Sequence, residues 1–137
     1  ANSRLFIVMA TATTVISANP SLLNNTVGFC VDAGDTAITF LTRNATTATK
    51  AAIAGQPALA ASNGYTAYIF CPPNSSTIYY RLDNLNTGVT LVDTSTTTTL
   101  PVNTTLLSAN ALASNAANTL VTAVQLGVSK IYIESDN

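Results

Sequence analysis

The chain has 137 residues, of which 8% are charged and 47% apolar, and its formal net charge is −1. That length suits one domain around one buried core, and so little charge, against roughly 25% in ordinary soluble domains, leaves a surface hydrated through Thr, Ser and Asn with weak repulsion between copies. The few cations, Arg4, Arg43, Lys50, Arg81 and Lys130, are scattered, which argues against nucleic-acid binding, while no apolar run approaches the ~20 residues of a membrane-spanning helix.

The first apolar run, after an opening without Met, reads as a strand over 4–16, and the missing Met suggests a piece of a longer protein. Further strands are expected at 26–32 and 36–43, joined by the "DAGD" turn at 32–35, whose Asx and Gly residues suit a tight hairpin. Next come strands at 65–71 and 76–84. Between them Pro72 and Pro73 cannot donate ladder hydrogen bonds, so pairing stops there, and Asn74-Ser75-Ser76 completes a polar corner. The "DNLNTG" turn at 83–88 leads into a strand at 88–94. The Thr-rich stretch that follows reads as an edge strand and turn, with another strand at 103–107. Residues 108–118 are rich in Ala but interrupted by Asn and Ser, and read as a loop or short strand, with a helical turn as the lesser alternative. Strands at 119–125 and 128–135 close the chain. This spacing predicts an all-β fold: an antiparallel two-sheet sandwich or a barrel, spanning 1–137 as one domain.

Chemistry-bearing residues are few. With no His in the chain, Ser-His and Cys-His nucleophiles are absent. Asp32 and Asp35 are close in sequence and could in principle form an acid/base pair of the glycosidase type, but the turn accounts for both, and Glu134 and Asp136 read as a solvated strand end. Asp32, Asp35, Asp83 and Asp93 offer hard oxygen ligands for calcium, but their spacing fits no dedicated loop. Cys30 and Cys71 lie in apolar strand contexts and read as small buried hydrophobes. Sequons at Asn24, Asn44, Asn74 and Asn103 occur at the frequency chance gives. The expectation is therefore no catalytic residue, no metal and no cofactor. Aromatics are the remaining route to function: Tyr65, Tyr68, Tyr79, Tyr80 and Tyr132. Tyr79 and Tyr80 are adjacent on one strand, so they point to opposite faces and one should lie outside the core. The candidate contact residues are Tyr79, Tyr80, Asn74 and Tyr65.

Three stretches carry a resemblance: "VGFCVDAGDTAITFLTRNATTATKAAI" at 27–53, "YIFCPPNSSTIYYRLDNLNTG" at 68–88, and "TTTTLPVNTTLLSANALASN" from 96 onward with the closing "VSKIYIESDN". Together they resemble a domain near the C-termini of tailed-phage and prophage virion proteins, of the tail-fibre or surface-appendage type. The resemblance covers roughly the last four-fifths of the chain, and its two cysteines depart from the family pattern. It implies a jelly-roll or lectin-like β-sandwich at the C-terminal end of a longer protein, located in the virion. Its partners would be other copies of itself, as a homotrimer, and other virion proteins, with a host-surface glycan or protein as the external target. It brings no catalytic residue. The function it implies is virion assembly and host attachment; the alternatives are a capsid decoration protein clamping the shell and, more distantly, a carbohydrate-active enzyme or lectin.

Overall fold

The computed structural model describes residues 3–11, 18–60, 62–115 and 126–134. Its strands are β1 (Ser3–Ala10), β2 (Thr26–Val31), β3 (Thr39–Arg43), β4 (Ala48–Ala52), β5 (Tyr65–Phe70), β6 (Ile78–Asn84), β7 (Val89–Thr96) and β8 (Ser108–Asn115), with a 3-10 turn at Pro20–Leu22. They form two antiparallel sheets, in the orders β4-β3-β2-β1-β8 and β5-β6-β7, stacked as a β-sandwich. The all-β, two-sheet architecture expected from the strand spacing is the one observed.

Alternation decides which side chains meet between the sheets. Val27, Phe29 and Val31 of β2 and Phe40 of β3 face Ile78, Tyr80 and Leu82 of β6. At the centre, the Phe40 and Tyr80 rings stack in parallel with centroids 3.7 Å apart and planes 4° from parallel. Phe29 meets both edge-on, at 5.1 Å from Phe40 and 6.2 Å from Tyr80. One aromatic cluster thus joins the two sheets.

The larger sheet is also apolar on its other face, where Phe6, Val8, Ala10, Cys30 and Leu41 form a second cluster with Leu23 and Leu112 packed against it. Burial on both faces explains why β2 reads as an unbroken apolar run rather than an alternating one. Segment 18–25 is held to this sheet by polar straps. Arg4 Nε donates to Asn19 Oδ1 at 2.8 Å, the Ser21 N–H donates to Asp32 Oδ1 at 3.0 Å, and Arg43 Nη1 donates to the Ser21 carbonyl at 2.9 Å. Gly28, between Val8 of β1 and Leu41 of β3, has φ +154, and a Cβ there would lie 2.4 Å from the Ile7 carbonyl oxygen and 2.6 Å from Val8 Cα. Only glycine permits that approach of β1 to β2.

Both expected turns join antiparallel neighbours. Asp35 N–H donates to the Asp32 carbonyl at 3.0 Å between β2 and β3, and Gly88 N–H donates to the Asn84 carbonyl at 2.8 Å between β6 and β7. The proline corner connects β5 to β6. There Ser75 N–H closes on the Pro72 carbonyl at 3.1 Å, and Asn74 takes φ 57, a left-handed conformation that Asn tolerates better than most residues.

Several expectations are corrected. Residues 48–52, "ATKAA", form β4 although Ala and Lys have weak strand preference, because pairing with β3 from Thr39–Ala52 to Arg43–Ala48 supplies the ladder. Of the readings open for 108–118, the strand is the one observed over 108–115, and it is longer than a short strand, since β8 pairs with β1 along its whole length; the loop and the helical turn are not seen there. The strand expected at 103–107 is a turn instead: Pro101 has no N–H, Thr105 N–H donates to the Val102 carbonyl at 2.9 Å, and Leu106 is left exposed. Residues 128–134 have no ladder bonds among the described residues. The strand expected at 119–125 and the end of the first one, 12–16, lie outside the described residues.

Candidate recognition surface

The carboxylate pair singled out in the sequence is a structural strap. Lys50 Nζ, projecting from β4, bonds Asp32 Oδ2 at 3.0 Å and also Asp35 Oδ2, while Asp35 Oδ2 accepts the Asp32 backbone N–H at 2.9 Å. Burial pushes the Asp32 pKa up, but the bonds from Ser21 and Lys50 outweigh it and hold the carboxyl below its usual value. Burial likewise opposes the charge on Lys50, and its bonds to Asp35 and Asp32 raise its pKa instead. Both carboxylates are therefore committed to one ammonium, which ties the β2–β3 turn to β4. Asp83 and Asp93, the other two calcium candidates, sit on the smaller sheet around Arg81. Among the described residues no three His, Cys, Asp or Glu side chains gather as a metal site would require.

The outward face of the smaller sheet has a different character. Alternation along β6 sends Ile78, Tyr80, Leu82 and Asn84 inward and Tyr79, Arg81 and Asp83 outward. The register then sets Phe70, Tyr79 and Ser95 in one cross-strand row, Tyr68, Arg81 and Asp93 in the next, and Thr66, Asp83 and Thr90 in the third. Strand and residue spacing make this a patch of about 10 Å by 13 Å. Tyr68 is 52% exposed, Phe70 58% and Tyr79 49%. Phe70 and Tyr79 rings lie 6.4 Å apart, and the Arg81 guanidinium stands 5.9 Å from the centre of the Tyr68 ring, within cation–π range.

Arg81 is fixed in place. Its Nε donates to both oxygens of Asp83, at 2.9 and 3.0 Å, and its Nη1 lies 3.6 Å from Asp93 Oδ2. Thr90 Oγ1 donates to Asp83 Oδ1 at 2.7 Å. The Arg81 bond, and then that from Thr90, hold the Asp83 carboxyl below its usual pKa. The hydrogen bond to Asp83 raises the pKa of Arg81 in turn. The chain matches no protein-family model, no curated protein and no solved structure. What the surface offers must therefore be read from its own chemistry: flat aromatic rings beside oriented donors and acceptors, with one guanidinium against two carboxylates.

The sequence candidates divide on this geometry. Tyr79 lies on the patch. Tyr80 is a correction: at 7% exposure it belongs to the inter-sheet core, where burial raises its pKa. Tyr65 is a second correction, because its ring packs against the core and its hydroxyl is buried without a hydrogen-bond partner. Asn74 is exposed at the proline corner. Phe70, Arg81, Asp83, Asp93 and Thr90 were missed as a group. Alternation alone puts Arg81 and Asp83 on the Tyr79 face, but Tyr68, Phe70 and Asp93 join them only through the pairing register.

Proposed function

We propose that this chain is a non-catalytic contact module of a virion appendage, of the tail-fibre type its sequence resembles, and that the outward face of the smaller sheet is its contact surface, suited to a neutral glycan. The observation carrying this reading is the exposure of Tyr68, Phe70 and Tyr79 in rows with Arg81, Asp83 and Asp93. Tyrosine and phenylalanine rings present flat apolar faces on which the C–H face of a sugar ring can lie. Prefixed polar groups at their side can exchange hydrogen bonds with hydroxyls at low ordering cost. One cation against two carboxylates makes the patch net negative, which disfavours sialylated or uronic sugars. Asp32 and Asp35 are committed to Lys50, which supports a binding role over a hydrolytic one.

Binding of the purified chain to an array holding neutral and acidic glycans tests the reading. Tyr68→Ala and Tyr79→Ala should each weaken retention of a neutral ligand by about fivefold, from loss of a stacking contact worth ~1 kcal/mol. Unchanged retention in the double variant would refute the assignment of the surface. Location of the chain on the shell of an intact particle, away from the tail, would replace attachment by capsid clamping.

A further inference from the structure

Residues 126–134, "LGVSKIYIE", have strong strand composition yet no ladder bonds among the described residues. Tyr132 Oη donates to Glu134 at 2.9 Å, a contact between alternate residues that places both side chains on one side of the segment. Ile131 is 55% exposed, Tyr132 74% and Ile133 59%. These residues border a groove of about 610 Å³ whose other walls include Met9, Ile69, Phe70, Cys71 and Leu107. The apolar surface of the segment is thus continuous with an apolar cleft beside β5.

The charges of the segment say what can lie against it. Among the described residues Lys130 has no ion-pair partner, and the hydrogen bond Glu134 accepts comes from Tyr132. In an extended chain the two are about 13 Å apart, too far to meet within one molecule. In an antiparallel pair of identical segments centred on Tyr132, however, Lys130 falls opposite Glu134 of the other copy, twice, and Ile131 falls opposite Ile133, twice. Sliding the register by one residue loses both ion pairs and turns the side chains to opposite faces. Parallel alignment, the arrangement around a threefold axis, sets Lys130 against Lys130 and Glu134 against Glu134, which is unfavourable.

We propose that residues 128–134 pair antiparallel with the same residues of a second copy, centred on Tyr132, and make the protein a twofold-symmetric dimer. Such an interface is isologous, so a single favourable contact is made twice. The low overall charge adds little repulsion between the copies. The pairing is independent of the glycan surface and stands or falls without it.

Sedimentation equilibrium on the full chain tests it with Lys130→Glu and Glu134→Lys, both at exposed positions, so the thermal melt should be unchanged apart from its concentration dependence. The wild type should be a dimer, and each single variant should dissociate about tenfold more readily. An equimolar mixture of the two variants should recover a heterodimer, because every cross-pair is again of opposite sign. The K130E/E134K double variant should recover the homodimer. A monomeric or trimeric wild type, single variants as tightly associated as the wild type, or a double variant as weak as the singles would each overturn the proposal.

Discussion

The sandwich depends on the contact between Phe40 and Tyr80, and a double-mutant cycle measures it directly. Phe40 is 1% exposed and Tyr80 7%, so Phe40→Leu and Tyr80→Leu each lose buried ring area and leave part of a cavity, costing about 1–2 kcal/mol apiece. The coupling term is a separate quantity. Aromatic pairs contribute about 0.5–1.5 kcal/mol beyond their burial, but centroids 3.7 Å apart in planes 4° from parallel leave little lateral offset, so the like-signed ring faces oppose part of the dispersion attraction. The lower end of that range, about 0.5 kcal/mol, is therefore expected. Urea unfolding of the wild type, both single variants and the double variant would yield the coupling energy, provided the slope with denaturant stays constant. Burial then dominates and stacking is secondary. A coupling indistinguishable from zero, with each single variant costing well under 1 kcal/mol, would refute the claim that these rings join the two sheets.

Gly28→Ala should destabilise the fold by about 2–5 kcal/mol, the sum of overpacking and a φ that only glycine adopts easily, whereas Gly88→Ala, whose Cβ would meet nothing within 4 Å, should cost only the strain of its φ of +71, about 1 kcal/mol; chemical denaturation of both compares them. Because the Asp32 carboxyl titrates below its ordinary value of 3.8, the stability it contributes is complete above that value and lost as pH falls through its lower folded-state value. The Lys50 contribution, with a pKa raised above 10.5, is complete below 10.5 and lost as pH rises through the folded-state value. Asp32→Asn should flatten the acid limb of melting temperature against pH. Cys30 is buried and its thiol is pushed up to about 12 by that burial, partly offset by Thr39, while Cys71 is exposed; a thiol reagent at neutral pH should label Cys71 in the folded protein and both cysteines only in denaturant.

Legibility followed the range of the forces involved. The hairpin between β2 and β3 was readable because Asp32, Gly34 and Asp35 set their turn within a few residues, and the proline corner stopped β5 for equally local reasons. Tyr79 and Tyr80 had to part to opposite faces, but which of them was buried depended on where the other sheet lay. β4 was hidden, and β8 was readable only as an alternative to a loop, because Ala, Asn and Lys carry little strand preference of their own and are held extended by β3 and β1. The reverse error occurred at 128–134, where strand-forming side chains have no ladder partner among the described residues.

The amino-acid order alone determined an all-β chain, its tight turns and its poverty in charge and titratable catalysts, since composition, backbone preference and turn chemistry act over a few residues. Tertiary structure decided the rest. It committed Asp32 and Asp35 to Lys50, took Tyr65 and Tyr80 into the interior, and brought Tyr68, Phe70, Tyr79 and Arg81 onto one face. Those outcomes depend on register and on sheet-to-sheet packing, where a shift of one residue turns every side chain of a strand to the other face.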